Sequence, residues 1–357
     1  MPRIILHIGY LKGMILSLIA GIFLSSCSES FELNAAYKDI WVVYGVLDQR
    51  DTAQYVRVSL AFQVEGDAIE YAAENDLSVK GLSVRLSGNG KTYQAIELPD
   101  VPKEPGSGDF LPLSTLYKFR TSGADRLVEG MSYQLEIKRP GTDTLRLEAR
   151  TRIPPRPDII FPPLPGSGLE VCLTTIAFED SLEVRFRKKR LPSLDEAPYF
   201  EVKIDFDYQE DGLDNRFVFG PSRLFNNSQG CAGGSGTLCY KIGEGAVLNA
   251  MLANLGDTTV SYTYPSMPVC GHPADIPRAV QVYVTAVDTF LSNYMLANDP
   301  RFPNLNSYRP EYSNLSGTHE VVGVFGSISF DRVPVSLSGC VQHLLRLNGA
   351  FNPTACD

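Results

Sequence analysis

The groups in this sequence best suited to chemistry are thiols. Seven cysteines are present. Cys27 stands apart from the rest, because it closes the run Met14-Ile15-Leu16-Ser17-Leu18-Ile19-Ala20-Gly21-Ile22-Phe23-Leu24-Ser25-Ser26. A thiol placed there, behind small residues and an apolar stretch, is suited to acylation and to becoming the first residue of a processed chain. The other six, Cys172, Cys231, Cys239, Cys270, Cys340 and Cys356, all lie beyond residue 170. An even set in an exported chain points to disulfides, and six cysteines allow fifteen pairings. Cys231–Cys239 and Cys340–Cys356 are the local pairs expected, which leaves Cys172–Cys270. A metal centre is not expected: no CxxC and no histidine pair at zinc spacing occurs.

The segment before Cys27 explains why it is singled out. Its first twelve residues carry Arg3 and Lys12 and no acid. The apolar core that follows is about ten residues long, whereas a membrane-spanning helix needs about 20. Residues 1–26 therefore read as a secretory signal peptide rather than an anchor or part of the fold. Leu24-Ser25-Ser26-Cys27 resembles the lipobox of bacterial lipoproteins, which implies cleavage before Cys27 and lipidation of its sulfur. Ser28 in the next position is the residue type that directs such proteins to the outer membrane. Glu29 and Glu32 resemble, thinly, the acidic surface-export patch of Bacteroidota lipoproteins, although a solvated tether over 27–37 accounts for them equally well.

Other chemistry finds weak support. Beyond Cys27 the histidines are His272, His319 and His343, and no G-x-S-x-G, HExxH or P-loop pattern accompanies them. Glu210 and Asp214 can be imagined as an acid–base pair, but spacing alone does not place two carboxylates across a sugar ring. Asp205, Asp207, Glu210 and Asp211 lack the EF-hand pattern and read as an acidic turn. The loop Cys231-Ala232-Gly233-Gly234-Ser235-Gly236-Thr237-Leu238-Cys239 is rich in glycine, yet its flanks are loop and strand, not the strand and helix of a phosphate cradle. It reads as a pinned surface loop that, with Tyr240, Tyr262 and Tyr264, can border a binding surface. No cofactor is implied. The formal charge of −9 becomes more acidic once Arg3 and Lys12 leave, which disfavours nucleic acid and anionic lipid headgroups as partners. The expected membrane link is thus the lipid on Cys27.

The elements that must position these residues are strands. Ile40–Leu47, Tyr55–Phe62, Leu82–Leu86, Thr92–Leu98, Leu116–Arg120, Met131–Lys138 and Thr144–Arg152 are β-branched, aromatic or alternating runs, with an Asn89-Gly90 hairpin turn among them. This predicts a first β-sandwich of immunoglobulin or fibronectin-III type over 38–153. Glu129–Ile137 resembles the corner of such domains, where a tyrosine near a strand start packs. Six prolines between Pro154 and Pro165 predict a stiff linker over 154–168. Residues 169–357 add strands at Ser181–Arg187, Tyr199–Phe206, Ala279–Val287 and His319–Phe330. Helical spacing appears at Ala246–Leu255, Asp288–Ala297 and Val341–Leu347. The expected fold is all-β: two sandwiches, the second disulfide-rich with short helical insertions.

Several phrases, in order, resemble an uncharacterised family of Bacteroidota outer-membrane lipoproteins known only as a domain of unknown function. They are the lipobox, Trp41-Val42-Val43-Tyr44-Gly45-Val46-Leu47, the proline-rich exit after Thr151-Arg152-Ile153-Pro154, Ser292-Asn293-Tyr294-Met295, Ser313-Asn314-Leu315-Ser316-Gly317 and Gly323-Val324-Phe325-Gly326. Members are often encoded beside TonB-dependent transporters. The resemblance implies an outer-membrane, surface-exposed lipoprotein acting as a non-enzymatic binding module, with a transporter as its expected partner, and it supplies no catalytic residue. The alternatives are a cell-surface carbohydrate-active hydrolase and a structural or adhesive surface protein.

Overall fold

The computed structural model describes residues 39–64, 67–102, 113–141, 145–162, 172–173, 181–188, 199–210, 213–220, 224–234, 236–243, 246–247, 249–250, 253, 262–263, 280–297 and 313–337. These residues are mostly strand. In chain order the strands are β1 (Trp41–Asp48), β2 (Ala53–Leu60), β3 (Ser83–Gly88), β4 (Lys91–Gln94), β5 (Ile96–Pro102), β6 (Leu113–Arg120), β7 (Ser132–Lys138), β8 (Arg146–Arg152) and β9 (Asp158–Phe161). They continue with β10 (Cys172–Leu173), β11 (Ser181–Arg187), β12 (Tyr199–Glu210), β13 (Leu213–Phe219), β14 (Thr237–Gly243), β15 (Tyr262–Thr263), β16 (Val280–Val287), β17 (Leu315–Gly317) and β18 (Val321–Leu337). Helix α1 (Ala68–Glu74) follows β2 and helix α2 (Thr289–Ala297) follows β16. The expected helix over 246–255 is helical at the residues described there, and 341–347 lies outside the described residues.

Three sheets form. The largest is mixed, with eight strands in the order β13-β12-β16-β18-β1-β2-β6-β5, and the short β10 and β15 pair beside β18 and β12. The second has the order β17-β8-β7-β3-β4, and the third β14-β11-β9. Strand β18 joins the two ends of the large sheet. Val321–Ile328 run parallel to Trp41–Asp48 of β1, and Ile328–Val335 run antiparallel to β16. The chain therefore leaves the first set of strands after β8, builds the second set, and returns at β17 and β18. Strand β17 pairs with β8, completing the sheet that covers β1 and β2.

Period-two alternation turns these strands into two cores. Val43 and Leu47 of β1, Val56 and Val58 of β2, Tyr117 and Phe119 of β6, Leu135 and Ile137 of β7 and Phe325 of β18 are buried in one cluster. Val184 and Phe186 of β11, Val202, Ile204 and Phe206 of β12, Val282 and Val284 of β16 and Val333 of β18 form the other. Each fully buried side chain of this size stabilises by about 1.5–3 kcal/mol relative to exposure. Along its inward face β18 reads Phe325, Ser327, Ser329, Asp331, Val333. Apolar residues reach each core, and a buried polar stretch separates them.

That polar stretch is tied on three sides. The Asp288 carboxylate caps α2 by accepting the Leu291 N–H at 2.9 Å, and its other oxygen accepts the Thr151 hydroxyl at 2.8 Å and the Ser327 N–H. Ser327 Oγ also lies 2.9 Å from Thr151 Oγ and donates to the Arg152 carbonyl at 2.8 Å. Asp331 accepts from Arg156 and from the Ile159 N–H at 3.1 Å, with Arg50 of the β1–β2 turn 3.7 Å away. The Arg50 guanidinium lies 4.1 Å from the Phe330 ring centre. Nearby, the Asn314 side chain acts as a missing piece of backbone: it accepts the Phe325 N–H at 3.1 Å and donates to the Phe325 and Arg150 carbonyls at 2.6 and 2.8 Å.

Several expectations change in detail. The single strand expected over Thr92–Leu98 splits at Ala95: β4 stays in the five-stranded sheet and β5 crosses to the large one. The proline-rich segment supplies an edge strand, β9, between Pro157 and Pro162, a position where a missing N–H is tolerated. The Asn89-Gly90 turn has φ of 51° and 70° and joins β3 to β4, as a type I′ hairpin needs.

Gly323 adopts φ +115°, and a Cβ there would lie 2.1 Å from the Val43 carbonyl oxygen across the β1–β18 seam. Gly323→Ala is expected to cost roughly 3 kcal/mol, read as a lowered urea midpoint. Asp288 generates a second expectation. Burial pushes its carboxyl above the ordinary value of 3.8, against the hydrogen bonds from Leu291, Thr151 and Ser327 that pull it down. A raised carboxyl favours the fold fully below the ordinary value, and that contribution is lost as pH rises through the raised one. The stability gap between wild type and Asp288→Asn should therefore narrow as pH rises from below the ordinary carboxyl value toward neutrality. Urea titrations across that range check this, and a constant gap would count against a raised carboxyl.

Candidate functional site

Among the described residues, those singled out by sequence do not come together as one site. Cys231 and Cys239 are disulfide-bonded, with Cα atoms 5.8 Å apart. The loop they close is held down by Ser228, whose Oγ accepts the Cys239 N–H at 3.1 Å, and by Gln229, which exchanges backbone bonds with Cys239 and Lys241. It leads into β14, not into a helix. Tyr240 stacks on Phe225 at 5.3 Å and 26°, packed against the second core, so it is a wall of that core rather than a free binding face. Tyr262 lies on β15 with its backbone opposite Glu210. Cys172 lies on β10, beside Ser336 of β18. Cys27, Tyr264, Cys270, His272, Cys340, His343 and Cys356 lie outside the described residues, and the Cys172–Cys270 and Cys340–Cys356 pairings with them.

The expected acidic turn is partly neutralised, since Arg216 pairs with Asp205 and lies 3.6 Å from Asp207. Glu210 and Asp214 fall in the β12–β13 hairpin. His319 sits in the turn before β18, with Nδ1 3.0 Å from Thr318 Oγ1 and its ring edge-on to Trp41 at 6.2 Å. Among the described residues, no group of three or more His, Cys, Asp or Glu side chains comes together in a way that could hold a metal.

A different cluster stands out on the outward face of the large sheet. The residues that alternate with the buried ones on β1, β2 and β6 are Tyr44 and Val46, Tyr55 and Arg57, Leu116 and Lys118. The register places Tyr44 opposite Arg57, Val46 opposite Tyr55, Arg57 opposite Leu116 and Tyr55 opposite Lys118. Tyr44, Val46, Tyr55, Arg57 and Leu116 line an open cavity of about 300 Å³, together with Asp51 and Gln54. Tyr44 and Tyr55 are 37% and 42% exposed, so their rings stand as walls and not as core. Arg57 forms the floor. Its Nε is buried and finds no hydrogen-bond partner, and no described residue forms an ion pair with it. Lys118 Nζ lies 5.7 Å from the Tyr55 ring centre, adding a second cation beside the same ring.

Two pieces of local structure hold this cleft open. The β1–β2 turn is fixed by Gln54, buried beneath it: its Oε1 accepts the Asp48 N–H at 2.8 Å, and its Nε2 donates to the Asp48 carbonyl at 2.7 Å and to Thr121 Oγ1 at 3.1 Å. On the other side stands α2. Leu291 packs where a Cβ on Gly326 would come within 2.6 Å, which brings the helix against the sheet. Tyr294 then meets Tyr44, with rings 5.8 Å apart and hydroxyls 3.3 Å apart. Burial, reinforced by the Tyr44 hydroxyl, pushes the Tyr294 phenol up to about 12, so it remains a neutral hydrogen-bonding group. The arrangement can bind: a guanidinium fork takes a planar oxyanion through two parallel bonds, and tyrosine offers a flat apolar face with a polar tip.

Sequence reasoning did not single out Tyr44, Tyr55 or Arg57. The available signal was the β1 strand, Trp41–Leu47, which is apolar on both faces although most of its sheet is antiparallel. What was missing was the knowledge that β1, β2 and β6 are neighbours. A scan of the chain against protein-family models finds no match, and a search of curated proteins finds no relative.

The disulfide offers a direct test. Closing a loop with sequence separation 8 stabilises by about 2–3 kcal/mol on loop-entropy grounds. The Cys231→Ser/Cys239→Ser double variant should unfold at correspondingly lower urea than wild type, both measured without reductant, and an unchanged midpoint would count against a stabilising bridge.

Proposed function

We propose that this protein is a lipid-anchored outer-membrane protein that works as a non-enzymatic binding module, with the Tyr44–Tyr55–Arg57 cleft as its binding face. The observation that carries the binding role is the lining of that cleft, which sets Arg57 between the exposed rings of Tyr44 and Tyr55. A guanidinium fork beside two aromatic faces offers a ligand both a charge and surfaces to stack on. The anchor rests on residues 14–27, where a short apolar run ends at Cys27.

The resemblance to the Bacteroidota lipoprotein family supports the same reading, and with it a TonB-dependent transporter as partner. Four of the phrases that carry the resemblance gather in one region. Trp41–Leu47 is β1, Ser292–Met295 lies on α2, and Ser313–Gly317 and Gly323–Gly326 form β17 and the start of β18. They build the seam and the helix that support the cleft. We read the two cores as sandwiches of immunoglobulin or fibronectin-III type. In support, Tyr133 is buried and its hydroxyl accepts the Val128 N–H, five residues upstream, at 2.8 Å.

Fractionation tests the anchor and pull-down tests the partner. Wild type should sediment with outer membranes and leave them only in detergent, whereas Cys27→Ser should be recovered in the soluble fraction. Affinity purification of wild type in mild detergent should bring down an outer-membrane transporter. A Cys27→Ser variant that stays in the membrane overturns the lipid anchor, and a pull-down that yields no outer-membrane protein overturns the transporter partner.

A further inference from the structure

The geometry points to a ligand class for this cleft: a small carboxylate carried on a single ring, its carboxylate taken by Arg57 and a face of its ring stacked against Tyr44 and Tyr55. The inference rests on the binding role proposed above and adds the chemistry of what is bound.

Charge comes first. The chain as a whole carries −9, yet Arg57 and Lys118 stand on neighbouring strands on the two sides of Tyr55. Among the described residues, Asp51 is the one carboxylate that lines the cavity. A cationic floor in an acidic protein is a local inversion of sign, and it selects an anion over a neutral ligand.

Donor geometry comes second. Arg57 lines the cavity, and its backbone is fixed in two ladders, opposite Tyr44 on one side and Leu116 on the other. A guanidinium carries its N–H donors in a fixed planar fork, and its two terminal nitrogens present a parallel pair of N–H bonds that matches the two oxygens of a carboxylate. Lysine offers a point charge and no such edge.

Size and wall chemistry come third. About 300 Å³ is at the small end of ligand cavities, so it admits one ring with its acid group and not an extended chain. The walls are the rings of Tyr44 and Tyr55, with Val46 and Leu116 between them, so a ring stacks while the acid faces Arg57.

Two carboxylates, 4-hydroxyphenylacetate and galacturonate, are the probes, with 4-hydroxyphenylacetamide and galactose as their neutral counterparts. Each is titrated calorimetrically into the purified full-length protein. At least one acid is expected to bind, and to bind ten-fold or more tightly than its neutral counterpart. Binding of the first identifies an aromatic acid and binding of the second an acidic sugar, and either outcome supports the assignment. Arg57→Gln should abolish the preference for the acid, and Arg57→Lys should restore only a small part of it. Tyr55→Ala, a change at an exposed wall, should weaken the same acid several-fold with its unfolding midpoint unchanged. The assignment is overturned if neither acid binds at millimolar concentration, if the neutral counterparts bind equally well, or if Arg57→Gln keeps the preference. None of these results alters the fractionation or pull-down outcomes, so failure of the ligand class and failure of the anchored binding module are separable.

Discussion

The structure depends on the double pairing of β18. One strand of seventeen residues is the parallel partner of β1 along its first half and the antiparallel partner of β16 along its second. Neither core is complete without it, because Phe325 fills one and Val333 the other. The change of partner has to occur where the strand carries no large apolar side chain inward, and Ser327, Ser329 and Asp331 occupy that interval. Small and polar residues there keep the two cores from merging, and they give each core an end that hydrogen bonds can close.

The closure is local and strong. Asp288 ends β16, starts α2 and reaches β8 through Thr151, so a single carboxylate ties three elements to the changeover point of β18. Arg50 and Arg156 do the same at Asp331 from the β1–β2 turn and from the proline-rich segment. Glycine permits the close approaches this needs. Gly323 lets β18 lie against Val43, and Gly326 lets Leu291 of α2 settle on the sheet. The placement of Tyr294 beside Tyr44 follows, and so the outward cleft and the inward polar plug share one support.

Much of the strand content can be read from alternation alone. Ser181–Arg187 appears at the expected residues, and the strands at Trp41, Ser132, Tyr199 and Val280 begin within a residue or two of where the pattern places them. Local pairing is equally direct where a turn fixes it, as at Asn89-Gly90. What alternation does not carry is the identity of distant partners. Nothing in residues 41–48 names residues 321–328 as their neighbours, and the step from β4 to β5 at Ala95 has no proline or glycine to mark it. The cleft fell outside the sequence reading for the same reason. Tyr44, Tyr55, Arg57 and Leu116 become a set only once three strands are placed side by side. The tyrosines chosen instead lay near a disulfide loop in sequence, and one of them, Tyr240, turned out to brace a core.

The parallel seam between β1 and β18 has a consequence for how the chain is made. The first strand described in this protein finds its partner only when nearly the whole chain is available. Loop closure over that distance is slow, and pairings of such range are among the latest to form. Until then β1 presents an unsatisfied edge of alternating Trp, Val, Tyr and Leu, the kind of edge that invites pairing with other chains. A polypeptide that emerges N-terminus first therefore exposes its most association-prone strand earliest and covers it last. A chain stopped before Leu315 is therefore a poor candidate for an independently folded fragment.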